Sequence, residues 1–220
     1  MSISENIQFF RKTLPSNVSL VAVSKFHPVA DLLEAYKAGQ RIFGESRAQE
    51  LLQKRNALPK DIEWHFIGQL QSNKVKDIAP FIHTIHSIDS LRLIEEVEKQ
   101  AARHDRIIRI LLEIHVAQEE SKAGFTPGEC RDLLLSVSPE DYPHVQIGGL
   151  MTMATNTDDA EQIRKEFRLL KSLFEDLKKT YLTNPGFDTL SMGMSADYKI
   201  AISEGSNMVR IGSTIFGIRE

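Results

Sequence analysis

Short runs of apolar and β-branched residues recur along the chain, and a stretch of helical character follows nearly every one of them. Several runs are apolar on both strand faces, which is typical of parallel strands covered by helices. The alternation therefore predicts an α/β fold on a parallel sheet. The eight runs are VSLVAVS (18–24), RIFGE (41–45), IEWHFIG (62–68), FIHTIHS (81–87), IIRILLEIHV (107–116), VQIGGLM (145–151), FDTLSM (187–192) and NMVRIGS (207–213).

The segments between these runs carry the signals of amphipathic helices. Apolar residues at three-four spacing form a stripe from Ala160 to Leu177, and a second stripe comprises Ile88, Leu91, Ile94, Val97 and Ala101. Ahead of the first strand, Ser2 and Glu5 make a capping-box pattern that predicts a helix start. Thr126 and Glu129 repeat that pattern with a proline between them.

Eight strands alternating with helices in 220 residues predict a single (β/α)₈ TIM barrel, with 1–220 forming one domain. Little chain follows the eighth run. We therefore expect the extra N-terminal helix to cover the barrel where a final helix would otherwise pack. The alternative is an open doubly wound sheet, and the lack of a G-x-G-x-x-G motif after the first run argues against it.

Composition narrows the classes of function. The net charge is −3 and no block of lysine and arginine occurs, so neither a nucleic-acid surface nor a membrane-attracting patch is indicated. The single cysteine, Cys130, gives no disulfide framework and no metal-ligand pattern. No apolar run is long enough to span a bilayer. We therefore expect a cytoplasmic protein.

In a TIM barrel the chemistry lies at the C-terminal ends of the strands. Lys25 follows the first run directly. Arg210 lies in the eighth run between Val209 and Ile211, so strand alternation points it into the barrel if those two face the helices. A buried guanidinium needs an acceptor, which is either a ligand or a structural ion pair with a carboxylate such as Glu45.

The loops after the seventh and eighth runs offer an anion site. Ser195 provides a hydroxyl, and the backbone amides of Gly212 and Ser213 can turn toward a phosphate. The alternative is that these glycines merely turn the chain at barrel corners. A phosphorylated aldehyde could bridge this anion site and Lys25, whose amine would form a Schiff base with it. The alternative for Lys25 is an ordinary solvated lysine.

The histidines carry a weaker signal. His65 is expected inside the barrel as a core histidine rather than a ligand contact. His83 and His86 are three residues apart on one predicted strand, so they face opposite sides and are not expected to form a metal pair.

Several motifs together resemble a known family over nearly the whole chain, in order and at suitable spacing. They are AVSK, FGESRAQE, WHFIGQLQSNK, GLMTMA and LSMGMSADYKIAISEGSNMVRIGSTIFG. They resemble the pyridoxal 5′-phosphate (PLP) homeostasis proteins, which are single-domain barrel relatives of alanine racemase. The resemblance implies a barrel of the alanine racemase N-terminal type, with PLP bound through a Schiff base to the lysine of the AVSK motif.

The resemblance also implies the roles of individual residues. Lys25 would hold the aldehyde, while Ser195, Gly212 and Ser213 would hold the phosphate and Arg210 would face the pyridine nitrogen. Met194, beside Ser195, is assigned to the same site. Ser46 is assigned to it as well, although many relatives have asparagine at that position of FGES.

These assignments favour a carrier over an enzyme. Because arginine only donates hydrogen bonds, the pyridine nitrogen opposite it stays unprotonated, which weakens the ring as an electron sink. Racemases of this fold also use a tyrosine from a second β-domain, for which the sequence up to Glu220 offers no counterpart. We expect a monomer that holds PLP and passes it to PLP-dependent apo-enzymes. The alternatives are a weak PLP-dependent racemase and a Schiff-base aldolase.

Overall fold

Eight parallel strands close into one barrel in the order of the chain, as the alternation predicts. This computed structural model describes residues 2–118, 123–180 and 186–217. The strands are β1 (Ser19–Val23), β2 (Ile42–Glu45), β3 (Glu63–Phe66), β4 (Thr84–Ile88), β5 (Ile108–Glu113), β6 (Val145–Met151), β7 (Thr189–Ser191) and β8 (Met208–Ile211). Parallel pairing of β1 with β8 closes the barrel, with Ala22 opposite Ile211.

Helices follow the strands and form the outer layer. They are α1 (Ile3–Thr13), α2 (Val29–Lys37), α3 (Ala48–Ala57), α4 (Ser72–Ile78), α5 (Leu91–Arg103), α6 (Pro127–Ser136), α7 (Ala160–Thr180), α8 (Tyr198–Ser203) and α9 (Ser213–Phe216), with a short 3₁₀ helix at Pro139–Asp141. Both predicted capping boxes are formed, at the starts of α1 and α6. Within the described part of the chain, no helix combines the length and the apolar character needed to cross a membrane.

Helix α1 occupies the gap that the short C-terminal segment leaves. The Asn6 side chain donates a hydrogen bond to the carbonyl of Ile215 in α9, at 2.9 Å. On the other side of α1, Gln8 reaches the carbonyl of Ala38 at the end of α2. The Phe10 ring packs edge to face on Tyr198 of α8, with centroids 5.6 Å apart. The expected place of the N-terminal helix is confirmed.

Several strand boundaries differ from the sequence prediction, and two of the differences share one cause. Ile88, which we assigned to a helical stripe, is the last residue of β4, and α5 begins at Leu91. The fifth run, which we extended to residue 116, ends as a strand at Glu113. In both cases apolar residues near the boundary fit the pattern of either element, so hydrophobicity alone cannot place the boundary.

The barrel interior contains a row of polar side chains among apolar ones. His65 of β3 and His86 of β4 face each other, with His65 Nδ1 and His86 Nε2 2.9 Å apart. Ser191 of β7 lies beyond them, its hydroxyl 3.2 Å from His86 Nδ1. Arg210 of β8 then contacts Ser191. This row crosses the core of the barrel and ends at the C-terminal mouth.

Candidate functional site

A cavity of about 490 Å³ opens at the C-terminal ends of β1, β7 and β8. It is lined by six of the seven residues that the sequence assigns to the site, namely Lys25, Met194, Ser195, Arg210, Gly212 and Ser213. Its volume lies in the range of small-molecule sites, which is about 300–1,000 Å³. The strand ends therefore bring the predicted amine, guanidinium and anion-binding loop to one place.

The loop after β7 is fixed by its own backbone contacts. Gly193 has a φ of +96°, and a β-carbon there would lie 2.5 Å from the Cβ of Ala201. Only glycine fits such a position without strain. The Asp197 carboxylate accepts a hydrogen bond from the Met194 amide. The amide of Arg210 donates to the carbonyl of Gly193 at 3.0 Å, which ties this loop to β8.

The proposed anion site is assembled between the two loops. The amide of Gly212 donates to the Ser195 hydroxyl at 3.3 Å, so the hydroxyl and the turn at 212–213 are adjacent. A β-carbon on Gly212 would lie 3.2 Å from the carbonyl oxygen of Val23, because β8 ends against β1. Ser213 begins α9 directly after this turn. Hydroxyls and backbone amides of this kind suit a phosphate group.

Arg210 is buried, with 4% of its surface exposed. Its guanidinium donates to the carbonyl and hydroxyl of Ser191 at 3.0 and 2.7 Å, and to the carbonyl of Thr152 at 2.8 Å. The ion pair with Glu45 that we considered as an alternative does not form, because Glu45 is bound elsewhere. Burial lowers the pKa of Arg210 to about 10, so its charge is retained near neutral pH.

Lys25 is held in place by a buried network around its neighbours. Ser24 donates to Glu45 Oε1 at 2.6 Å, and Lys54 Nζ donates both to Glu45 Oε1 at 2.8 Å and to the Ser24 carbonyl at 2.7 Å. Lys54 also reaches Glu50 Oε1 at 2.6 Å. The network thus fixes the backbone at Ser24, immediately before Lys25.

The same network holds the backbone on the other side of Lys25. The Glu50 carboxylate accepts a hydrogen bond from the amide of Phe26. Phe26 has a φ of 69°, a conformation that costs a bulky residue about 1–3 kcal/mol and persists only where surrounding contacts impose it. The chain therefore turns sharply just after Lys25, at the rim of the cavity.

Ser46, the seventh assigned residue, lies outside this cavity. It lines a neighbouring cavity of about 490 Å³ together with Gln71, Ser72 and Lys74 of the QSNK segment. The ends of β2 and β3 are in close contact here, because a β-carbon on Gly68 would lie 2.5 Å from the Ser46 carbonyl oxygen. The structure therefore does not bring Ser46 together with the other six.

Sequence reasoning missed Glu113, the last residue of β5. It is 5% exposed, and burial raises its pKa to about 7, opposed by the charge of Arg210. A titratable carboxyl at a strand end is the signal that could have found it. We overlooked it because the predicted fifth strand ran on to residue 116.

Comparison with known proteins first defines the class. A model of the family described as "Alanine racemase, N-terminal domain" matches residues 1–220. The solved alanine racemase of Streptomyces coelicolor superposes with a TM-score of 0.79 at 18% identity, covering 99% of this chain and 58% of that one. At that identity the likeness shows the fold alone. The structure is thus a barrel of the alanine racemase N-terminal type.

More similar relatives define the family. A protein of Pasteurella multocida is 39% identical over 99% of this chain and 95% of its own length. A protein of Schizosaccharomyces pombe is 41% identical over 92% of this chain and 85% of its own length. Both are named pyridoxal phosphate homeostasis protein. PipY of Synechococcus elongatus PCC7942 superposes with TM-scores of 0.91 without PLP and 0.89 with PLP bound, at 36% and 35% identity, covering 98% of this chain and 100% of PipY. The chain belongs to the pyridoxal phosphate homeostasis protein family.

Proposed function

We propose that this protein binds PLP and acts in vitamin B6 homeostasis, as the names of its relatives indicate for them. The observation that carries the proposal is the single cavity that joins Lys25 to the turn at Gly212 and Ser213. PLP presents an aldehyde and a phosphate on one small ring, and this cavity offers a primary amine and an anion site. The PLP-bound structure of PipY, a relative of the same fold, supports the assignment.

Each residue of the cavity has a distinct proposed role. Lys25 would hold the aldehyde as a Schiff base, and the network of Ser24, Glu45, Lys54 and Glu50 positions its backbone. Ser195, Gly212 and Ser213 would bind the phosphate through hydroxyls and backbone amides. Arg210 would donate to the pyridine nitrogen, and Met194 would cover the ligand from the loop after β7. A contact from Ser46 stays a prediction, since it lines the neighbouring cavity.

The cavity residues favour retention of the ligand over catalysis. When bound, PLP supplies an electron-withdrawing ring, whose strength depends on protonation of the pyridine nitrogen. Arg210 remains protonated at neutral pH and can only donate, so it would keep the nitrogen of a bound ring unprotonated. No tyrosine among the described residues lines the cavity to move a proton at the ligand. We therefore propose a carrier rather than an enzyme.

The wider setting follows from the sequence and remains part of the proposal. We propose that residues 1–220 act as one domain, that the protein is a cytoplasmic monomer, and that PLP-dependent apo-enzymes receive its cofactor. Transfer of PLP from the loaded protein to an apo-enzyme, followed by that enzyme's recovered activity, tests the last point.

Absorption of the purified protein tests the site. We expect a yellow chromophore that Lys25→Ala abolishes and that Lys199→Ala, an exposed lysine of α8, preserves. Ser213→Ala should leave the chromophore but speed PLP release by about 10- to 150-fold, because a hydrogen bond to a charged group contributes about 1.5–3 kcal/mol. A Lys25→Ala protein with the unchanged chromophore would show that the amine is misassigned.

Solvent-deuterium exchange at the α-carbon of alanine separates the carrier from a racemase. Turnover at ordinary enzyme rates, about 1–10³ s⁻¹, would overturn the carrier proposal while leaving the binding site intact.

A further inference from the structure

The opposite, N-terminal mouth of the barrel holds a cluster of metal-ligand side chains. Glu63 and His65 are two residues apart on β3 and share one face of the strand. The β3–β4 register places Thr84 opposite His65, which brings His83 beside it on the adjacent strand. One ligand atom from each of Glu63, His65 and His83 lies within 4.8 Å of the others.

We propose that Glu63, His65 and His83 form a binding site for a divalent transition-metal ion that favours imidazole ligands, such as Zn²⁺. Two imidazole nitrogens and one carboxylate oxygen form a donor set that zinc uses, with a fourth position left for water. The site is separate from the PLP cavity and does not depend on the proposed function. The hard cations Mg²⁺ and Ca²⁺, which prefer all-oxygen sites, are not expected to bind there.

An unpartnered buried nitrogen independently points to a ligand. His65 is 2% exposed, and within residues 2–118, 123–180 and 186–217 its Nε2 has no hydrogen-bond partner. Because Nδ1 of this ring is engaged with His86, we assign Nε2 as the atom that His65 would offer to a metal ion. Buried polar atoms are ordinarily satisfied, so a bare nitrogen beside a second histidine and a carboxylate is the arrangement that a metal ion completes.

The interior row of polar groups supplies the support that a metal-bound histidine needs. A ligating imidazole usually donates its other N–H to an acceptor, which fixes its tautomer. Here His65 Nδ1–H can donate to His86 Nε2, and His86 Nδ1–H to the Ser191 hydroxyl, which also accepts from Arg210. With these protons in place, His65 Nε2 carries a lone pair, which is what a metal ligand needs. The opposite arrangement leaves it as a buried N–H without an acceptor.

The two outer ligands have room to adjust. Glu63 and His83 side chains are each 48% exposed, and His83 Nε2 lies 3.8 Å from Glu63 Oε2. Ligands of a tetrahedral zinc ion at about 2.1 Å are about 3.4 Å apart, so the cluster must contract. The His65 and His83 rings are parallel, with centroids 5.4 Å apart. A metal ion lies in the plane of each imidazole that binds it, so the His83 ring must rotate. This rotation breaks the contact between His83 Nδ1 and Thr84 Oγ1, which are 2.8 Å apart.

The local charges permit a cation. Burial lowers the pKa of His65, and the charges of His83 and then Arg109 add to that effect; Arg109 is itself paired with Asp188. Glu63 adds a negative charge at the cluster. The Arg109 guanidinium is also engaged with the carbonyl of Gly148 and the hydroxyl of Thr189, so it is held toward β6 and β7.

Titration calorimetry with ZnCl₂ tests the site on the full-length protein, free of any histidine tag and in phosphate-free buffer. We expect one zinc ion per chain. Loss of a group that only hydrogen-bonds to a metal ligand costs about 10- to 100-fold in metal affinity. Loss of a ligand itself through His83→Ala or Glu63→Gln should therefore weaken binding at least about tenfold. His104→Ala, which removes an exposed histidine after α5, should bind as the unmodified protein does.

Thermal unfolding provides the second readout. Zinc should raise the Tm of the unmodified protein and of His104→Ala but not of His83→Ala. Circular dichroism without zinc checks that each variant is folded, and His83→Asn replaces His83→Ala if that variant is not folded. The proposal is overturned if zinc does not bind saturably, if both ligand variants bind it like the unmodified protein, or if only one of them loses affinity.

Discussion

Replacing Lys54 by methionine removes the cation from the buried network behind Lys25. Lys54 is 4% exposed and Glu45 is fully buried, and they are 2.8 Å apart. Burial already raises the pKa of Glu45, while Lys54 and Ser24 oppose that rise. Without Lys54, the Glu45 carboxylate keeps only the Ser24 hydroxyl as a partner among the described residues. Breaking such a pair from one side typically costs about 3–5 kcal/mol.

Protonation of Glu45 limits this cost. Neutralising a carboxyl with an ordinary pKa of 4.5 at pH 7 costs about 3 kcal/mol, at about 1.4 kcal/mol per pH unit. We therefore expect Lys54→Met to lower the free energy of unfolding by about 3 kcal/mol at pH 7. In this variant the folded state keeps a proton on Glu45 that the unfolded state releases above pH 4.5. Stability consequently falls as pH rises, and the deficit at pH 5.5 should be about 2 kcal/mol smaller than at pH 7.

Urea unfolding at both pH values measures these differences. The double variant Glu45→Gln/Lys54→Met removes the buried charge and should recover most of the stability, with little pH dependence relative to the unmodified protein. Lys165→Met, at an exposed position of α7, is the matched control and should change stability little. A loss below about 1 kcal/mol, or a deficit in Lys54→Met that does not change with pH, would refute the reasoning.

Three further predictions concern other buried groups. Burial raises the pKa of Glu113 from 4.5 to about 7. The folded protein therefore favours the protonated carboxyl. The stability of the fold falls as the pH rises from 4.5 to 7, because ionised Glu113 is disfavoured in the folded state. Glu113→Gln should thus be more stable than the unmodified protein by up to about 3 kcal/mol at pH 8 and not at pH 4.5, as urea unfolding can measure. Gly193 has a φ of +96°, and a β-carbon there would meet Ala201. Gly193→Ala should therefore lower the free energy of unfolding by more than about 1 kcal/mol, and this loss should be the same at every pH. Burial raises the pKa of the Cys130 thiol to about 12, so it should react with a thiol reagent only after the protein unfolds, and rapid reaction of the folded protein would contradict this.

The number and order of the strands could be predicted from the sequence because parallel barrel strands are apolar on both faces. The same feature made the strand boundaries hard to predict. Ile88, for example, belongs to a strand although it also fits the helical stripe that follows. The meeting of Lys25, Ser195 and Gly212 around one cavity was predictable because a barrel places strand ends at one mouth. Ser213 follows from the same loops, whereas Met194, which also lines the cavity, was assigned through the family resemblance.

The remaining contacts depend on packing that no local pattern encodes. Lys54 reaches Glu45 from a helix nine residues away, and its burial becomes evident only once α3 is placed against β1 and β2. His65 meets His83 through the β3–β4 register, which the sequence does not show; spacing in the sequence only argued against a pair of His83 with His86. Ser46 was assigned by motif alone, and the turn after β2 carries it into the neighbouring cavity.

Borohydride reduction of the PLP-loaded protein, followed by peptide mapping, tests the central claim most directly. Reduction fixes a Schiff base permanently, so the modified lysine can be identified by mass. The account predicts one phosphopyridoxyl group per chain, on the peptide that contains Lys25. A phosphopyridoxyl group on any other lysine, or none at all on a yellow protein, would contradict it.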